Sequence, residues 1–144
     1  MQNAVPVGKG SMVAVLGSNI NEINEHITKN IKEGVCQIAN DNAEGQLIIS
    51  GDKESVNQLQ LILKEKRIKC IPLKVSAPFH CDLMKPAAKI MKEKIEKINF
   101  SRPSINIVGN VNARPENNPD KIKRLLIEQI FSPVKWRESL INMS

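Results

Sequence analysis

Residues 12–16, "MVAVL", form an unbroken apolar run closed by Gly17 and Ser18, a pattern that predicts a short buried strand. From Asn21 onward Ile23, Ile27 and Ile31 recur at helical spacing, which predicts an amphipathic helix ending near Gly34. "VCQIAN" then reads as a strand, "DNAEG" as a turn and "QLIIS" as a second strand, together a hairpin. Gly51-Asp52 opens another helix, with Asp52 as its cap and Val56, Leu59, Ile62 and Leu63 as its buried stripe. "IKCIPLKVS" closes the series as a strand whose Pro72 suits an edge position. Residues 12–75 thus predict the order β-α-β-β-α-β. That is the ferredoxin-like arrangement, two helices on one face of a four-stranded antiparallel sheet.

The remaining residues have a different rhythm. Met84, Ala87, Ala88, Met91, Ile95 and Ile98 mark one face of a long helix, and Lys85, Lys89 and Lys92 mark its other face. "INIVGNV" reads as a buried strand running into the polar loop "NARPENN". Asn118-Pro119 starts a helix, Asn as cap and Pro at the first helical position, with Ile122, Leu125, Leu126 and Ile130 on its apolar side. A helix–strand–helix segment cannot close a sheet alone, so 76–144 is expected to form part of a larger unit and to expose apolar surface.

Composition changes this picture little. With 144 residues and 41% hydrophobic content the chain suits one domain or two small lobes. It contains no apolar run of the ~20 residues needed to span a membrane. No export signal is legible, and Cys36, Cys70 and Cys81 are odd in number and form no CxxC pair. Reduced thiols in a cytoplasmic protein are the expectation. The net charge of +6 admits an acidic partner. Nucleic acid is disfavoured, because Phe79, Phe100, Phe131 and Trp136 are too few to stack bases and the lysines are spread along helix faces.

Three features could carry chemistry. His80 stands between a strand and a helix, where a lone histidine is commonly a satisfied structural residue. The same place near a helix N-terminus would disfavour the imidazolium and keep a neutral base. Gln129 shares the apolar face of its helix, and a core-facing amide needs partners or costs roughly 1–3 kcal/mol. It either bonds nearby backbone or fixes a neighbour. Asn40, Asn42 and Asn110 are polar residues at strand ends or in the following loops, positions that turn formers also occupy. "GKG" at Gly8–Gly10 is too short for a dinucleotide fingerprint, and adjacent His80 and Cys81 do not make a nucleophile–base dyad. No cluster has metal-ligand spacing. These residues supply a base and amides but no nucleophile.

The blocks "MQNAVPVGKGSMVAVLG", "ANDNAEGQLIISG", "LKVSAPFHCDLMKPA", "IVGNVNARP" and "LIEQIFSPVKWRESL" together resemble the malonyl-CoA:acyl carrier protein transacylase family, in its order and spacing and over essentially the whole chain. The most specific are S-x-P-F-H-x-x-L-M-x-P-A and Q-x-x-x-P-V-x-W. The resemblance implies a ferredoxin-like small subdomain, residues 1–75, and part of an α/β-hydrolase-like acyltransferase subdomain, residues 76–144. It implies transfer of malonyl from coenzyme A to the phosphopantetheine thiol of an acyl carrier protein in fatty acid biosynthesis. A serine on a G-x-S-x-G elbow is the family's nucleophile and a histidine its base and acid.

Residue by residue, the resemblance puts the catalytic histidine at His80 and the supporting glutamine at Gln129. It puts Asn40 and Asn42 near the substrate cleft, and Asn110 near the histidine, where a backbone carbonyl can orient the ring. Met1 follows the position of the family's carboxylate-binding arginine and counts with the substrate-binding residues. No cofactor or metal is implied, and malonyl-CoA enters as substrate. No G-x-S-x-G occurs in the 144 residues. The chain is therefore expected to be inactive alone and to need a separately encoded N-terminal half bearing the serine. The alternative is a non-catalytic gene remnant or a carrier-protein-binding lobe.

Overall fold

The structure, a computed structural model, describes residues 5, 6 and 8–144. It is a mixed α/β protein. The elements are β1 (Gly10–Leu16), α1 (Ile20–Asn30), β2 (Cys36–Ala43), β3 (Gln46–Asp52), α2 (Lys53–Glu65), β4 (Lys69–Pro72), α3 (Lys85–Ile95), β5 (Ile107–Val108), β6 (Pro115–Glu116), α4 (Pro119–Glu128) and α5 (Trp136–Met143). A 3₁₀ turn over Asp82–Met84 precedes α3.

β1 to β4 form one antiparallel sheet in the order β2-β3-β1-β4. The alternation of β1 decides its layers. Val13 and Val15 join Ile38, Leu47, Ile49 and the helix residues Ile23, Val56, Leu59 and Leu63 in the main core. Met12 packs on the opposite face with Ala39 and Ile48, against the partly buried Leu73 and Phe79. Phe79 also packs against a third cluster containing Ala77, Met84, Ala87, Ala88 and Ile130. One aromatic ring therefore joins the sheet to the helices beyond it.

The hairpin is longer than the pattern "DNAEG" suggests. β2 runs to Ala43 and leaves Glu44-Gly45 as the turn, with Gly45 at φ 72°. Two register shifts make this possible, one between Ile38 and Asn40 and one between Asp41 and Ala43. Each bulge takes up an extra residue and disguises the strand's alternation. β4 stops at Pro72, short of the expected end near residue 76, although the Leu73 amide still donates to the Met12 carbonyl at 2.9 Å. α3 is shorter than its apolar stripe, and Met91 and Ile98 of that stripe are exposed. The expected strand over 105–111 shrinks to the two residues of β5, paired only with the equally short β6.

Asp52 caps α2 as its position predicts. Its carboxylate accepts hydrogen bonds from the Ser55 amide (2.9 Å), the Ser55 hydroxyl (2.9 Å) and the Val35 amide. Burial pushes the Asp52 carboxyl up, but these bonds outweigh it and hold the group below its usual range. A depressed folded pKa adds stability above the unfolded value of about 3.9 and loses it as pH falls through the folded value. Asp52→Ala should cost about 1–2 kcal/mol at neutral pH in urea denaturation. Asp52→Asn should flatten the fall of the urea midpoint below about pH 4.

Candidate active site

The backbone around His80 is set by packing. Pro78 is fully buried, and a methyl group added at Gly10 would overlap its ring, so glycine is what lets β1 approach this loop. Phe79 anchors the next position between two apolar clusters. His80 itself has φ 60°, in the left-handed region that non-glycine residues rarely adopt. Such a conformation persists when its surroundings fix it, and it is commoner at functional sites.

The ring nitrogen Nδ1 lies 2.8 Å from the backbone carbonyl of Gln129. A carbonyl can only accept, so Nδ1 carries the proton and Nε2 is the basic nitrogen of the neutral ring. Gln129 caps the C-terminus of α4, and the last carbonyls of a helix have no partner within it. The ring therefore meets the C-terminus of α4 through Gln129, while His80 itself stands two residues before the 3₁₀ turn that leads into α3. Gln129 is half-buried and meets the ring through its main-chain carbonyl. Its side-chain Oε1 accepts a long hydrogen bond, 3.4 Å, from Asn110 Nδ2. Asn110 is thus one residue removed from the ring, and the orienting carbonyl belongs to Gln129.

Backbone pairing brings these pieces to β2. Val134 donates its amide to the Ala39 carbonyl at 2.8 Å and accepts from the Asp41 amide at 2.9 Å, a parallel bridge beside Asn40. The next residue, Lys135, donates to the Asn110 carbonyl at 2.9 Å. Asn40, Asn110, Gln129 and His80 are in this way linked along one edge of the sheet. Asn42 sits at the second bulge of β2, and no hydrogen bond among the described residues ties it to His80. Met1 lies outside the described residues.

His80 lines a cleft of about 680 Å³ between α1, β2 and α5, with Gln37, Asp41, Phe131 and Arg137 among its walls. Asp41 is buried and takes both nitrogens of the Arg137 fork, the closest at 2.9 Å. Sequence reasoning missed this pair, since Asp41 reads as a turn residue and Arg137 lies 96 positions away. Of the thiols, Cys36 and Cys81 are buried, and burial, helped by Asp52 and Cys81, pushes Cys36 up to about 12. Burial raises Cys81 as well. Among the described residues no group of three or more histidine, cysteine or acidic side chains could hold a metal ion.

Gly10→Ala should displace Pro78 and with it the His80 loop. Overpacking of this kind costs about 1–3 kcal/mol, to be read as a lowered urea midpoint together with a shift of the His80 ring resonances.

No family model matches the chain. A curated protein from Haemophilus influenzae, malonyl CoA-acyl carrier protein transacylase, is 38% identical over 146 aligned residues, covering 100% of this chain and 46% of its own length. The crystal structure of an acyl carrier protein S-malonyltransferase from Vibrio cholerae superposes with a TM-score of 0.96 at 38% identity, covering 99% of this chain and 47% of that one. A malonyl-transacylase in complex with a type II PKS acyl-carrier protein superposes at 0.93 with 34% identity, over 97% and 46% of the two chains. The chain is similar throughout to malonyl CoA-acyl carrier protein transacylases, and it spans about half the length of the curated relatives it matches.

Proposed function

We infer that this chain is the histidine-bearing part of a malonyl-CoA:acyl carrier protein transacylase, working in fatty acid biosynthesis with a segment that carries the nucleophilic serine. The observation that carries this reading is the hydrogen bond from His80 Nδ1 to the Gln129 carbonyl, which leaves Nε2 as the base. Residues 1–75 are the ferredoxin-like small subdomain, supported by the strand order β2-β3-β1-β4 with both helices packed on one face. Residues 76–144 are part of an α/β-hydrolase-like subdomain. Their exposed Ile90, Ile105 and Ile141, each more than 60% accessible, suit packing against a further segment of sheet.

In the proposed reaction His80 Nε2 takes the proton of the serine hydroxyl as its oxygen attacks the thioester carbonyl of malonyl-CoA. The coenzyme A thiolate leaves and takes that proton, and the malonyl group stays on serine as an ester. The carrier-protein thiol then gives its proton to Nε2 and attacks the ester, and the serine leaves protonated. Gln129 is a positioning residue for His80, and Asn110 supports Gln129. Asn40, Asn42 and Met1 fall to the substrate side. The partner is an acyl carrier protein, the kind of partner bound in the related transacylase–carrier complex, and a net charge of +6 would suit an acidic one. Among the described residues no helix is long and apolar enough to cross a membrane, and we place the reaction in the cytoplasm. No cofactor is needed beyond the substrate malonyl-CoA.

Intact mass spectrometry tests the reading. Mixing this chain with malonyl-CoA and an N-terminal half carrying G-x-S-x-G should give a malonyl adduct on that half. The adduct should be absent when either chain is left out, and His80→Ala should reduce its rate at least about 100-fold. A mixture that forms no adduct would make the chain a non-catalytic remnant or a carrier-binding lobe.

A further inference from the structure

The left-handed backbone at His80 needs more than the bond to its ring. Within the loop, Phe79 donates to the Ala77 carbonyl at 3.1 Å and Met84 to the Cys81 carbonyl at 2.9 Å, both local contacts that any tight turn makes. The Cys81 thiol donates to the Pro78 carbonyl at 3.2 Å, again within the loop. The Asp82–Lys85 ion pair is largely solvent-exposed and holds little. A polar contact reaches the loop's backbone from another element: the Asp82 amide donates to Gln37 Oε1 at 2.8 Å, across 45 positions of sequence. Asp82 opens the 3₁₀ turn, so its amide is one of the donors that a helical start leaves without a partner.

Gln37 is well placed for this. It stands on β2 opposite Ser50, one residue before the bulge that begins after Ile38, and it lines the same cleft as His80. β2 is tied on one side to β3 and on the other to Val134, so its backbone is a firm support for a short amide arm. We propose that Gln37 is a positioning residue for His80. Its amide fixes the peptide two residues beyond the histidine and so holds the left-handed turn in which Nδ1 stays on the Gln129 carbonyl. This proposal rests on the reading of His80 as the acyl-transfer base, and it adds a strand residue to the groups that fix that base.

Nitrogen NMR of the imidazole ring tests it on the full 144-residue chain. His26→Gln in every sample leaves His80 as the single histidine signal. The parent should show the Nδ1–H tautomer as the dominant neutral form. Gln37→Leu keeps the bulk but removes the acceptor, and should move both ring nitrogens toward the tautomer mixture of free imidazole with the sheet amide spectrum preserved. Gln37→Glu keeps an acceptor at the same reach and should restore the parent pattern. Unchanged ring shifts in Gln37→Leu would overturn the proposal, as would equal changes in the Leu and Glu variants. A Gln37→Leu chain whose sheet amides collapse together with the ring signal would also overturn it, since the role would then be structural. The readout needs no acyl transfer. Failure here would leave the malonyl-adduct test of the transacylase reading untouched, and failure of that test would leave this result standing.

Discussion

The pairing of Val134 with the outer edge of β2 is the contact on which the site depends. An edge strand presents a row of unpaired donors and acceptors, and here Ala39 and Asp41 spend theirs on one residue from nearly a hundred positions later. With that residue fixed, Lys135 reaches the Asn110 carbonyl, and α4 ends with Gln129 facing the His80 loop. The Asp41–Arg137 fork lies beside the same junction and adds a directional bond between β2 and α5. The pairing adds to the apolar cluster that already packs Phe79 and Met84 with Ile127 and Ile130.

The two regions are stabilised unequally. The sheet and its two helices enclose a core of fully buried aliphatic residues, Ile23, Leu59 and Leu63 among them. Residues 76–144 bury Met84, Ile122 and Ile130 beside the small Ala77, Ala87 and Ala88, and leave several large side chains, Ile90, Ile105 and Ile141 among them, in water. The His80 loop sits where the two meet, held from below by the close approach of Gly10 to Pro78 and sideways by Phe79. The direction of the His80 ring is thus set by packing of its loop against the sheet and by the Gln129 carbonyl.

Much of the architecture was legible in the order of residues. The succession of elements from 10 to 72, the Asp52 cap, the Asn118 cap and both faces of α2 follow from periodicity and side-chain chemistry that act within a few residues. His80 and Gln129 stood out because a lone histidine at a junction and an amide on an apolar face are local anomalies. The extent of β2 was not legible, since two bulges break the alternation that marks a strand. The length of α3 and of the strand near residue 107 was overstated, because an apolar stripe shows only that burial is favourable and not that a partner is present.

The sequence by itself determined which residues form the sheet, which helices cover it and which two side chains are chemically out of place, because those properties come from nearest neighbours. It also carried the family likeness in its motif blocks. Only the tertiary structure decided that the Gln129 carbonyl meets the His80 ring, that Asp41 is buried against Arg137 and that Gln37 accepts from the Asp82 amide. These contacts join residues 45 to 96 positions apart. No local preference encodes them, and they exist because the folded sheet brings their backbones within hydrogen-bonding reach.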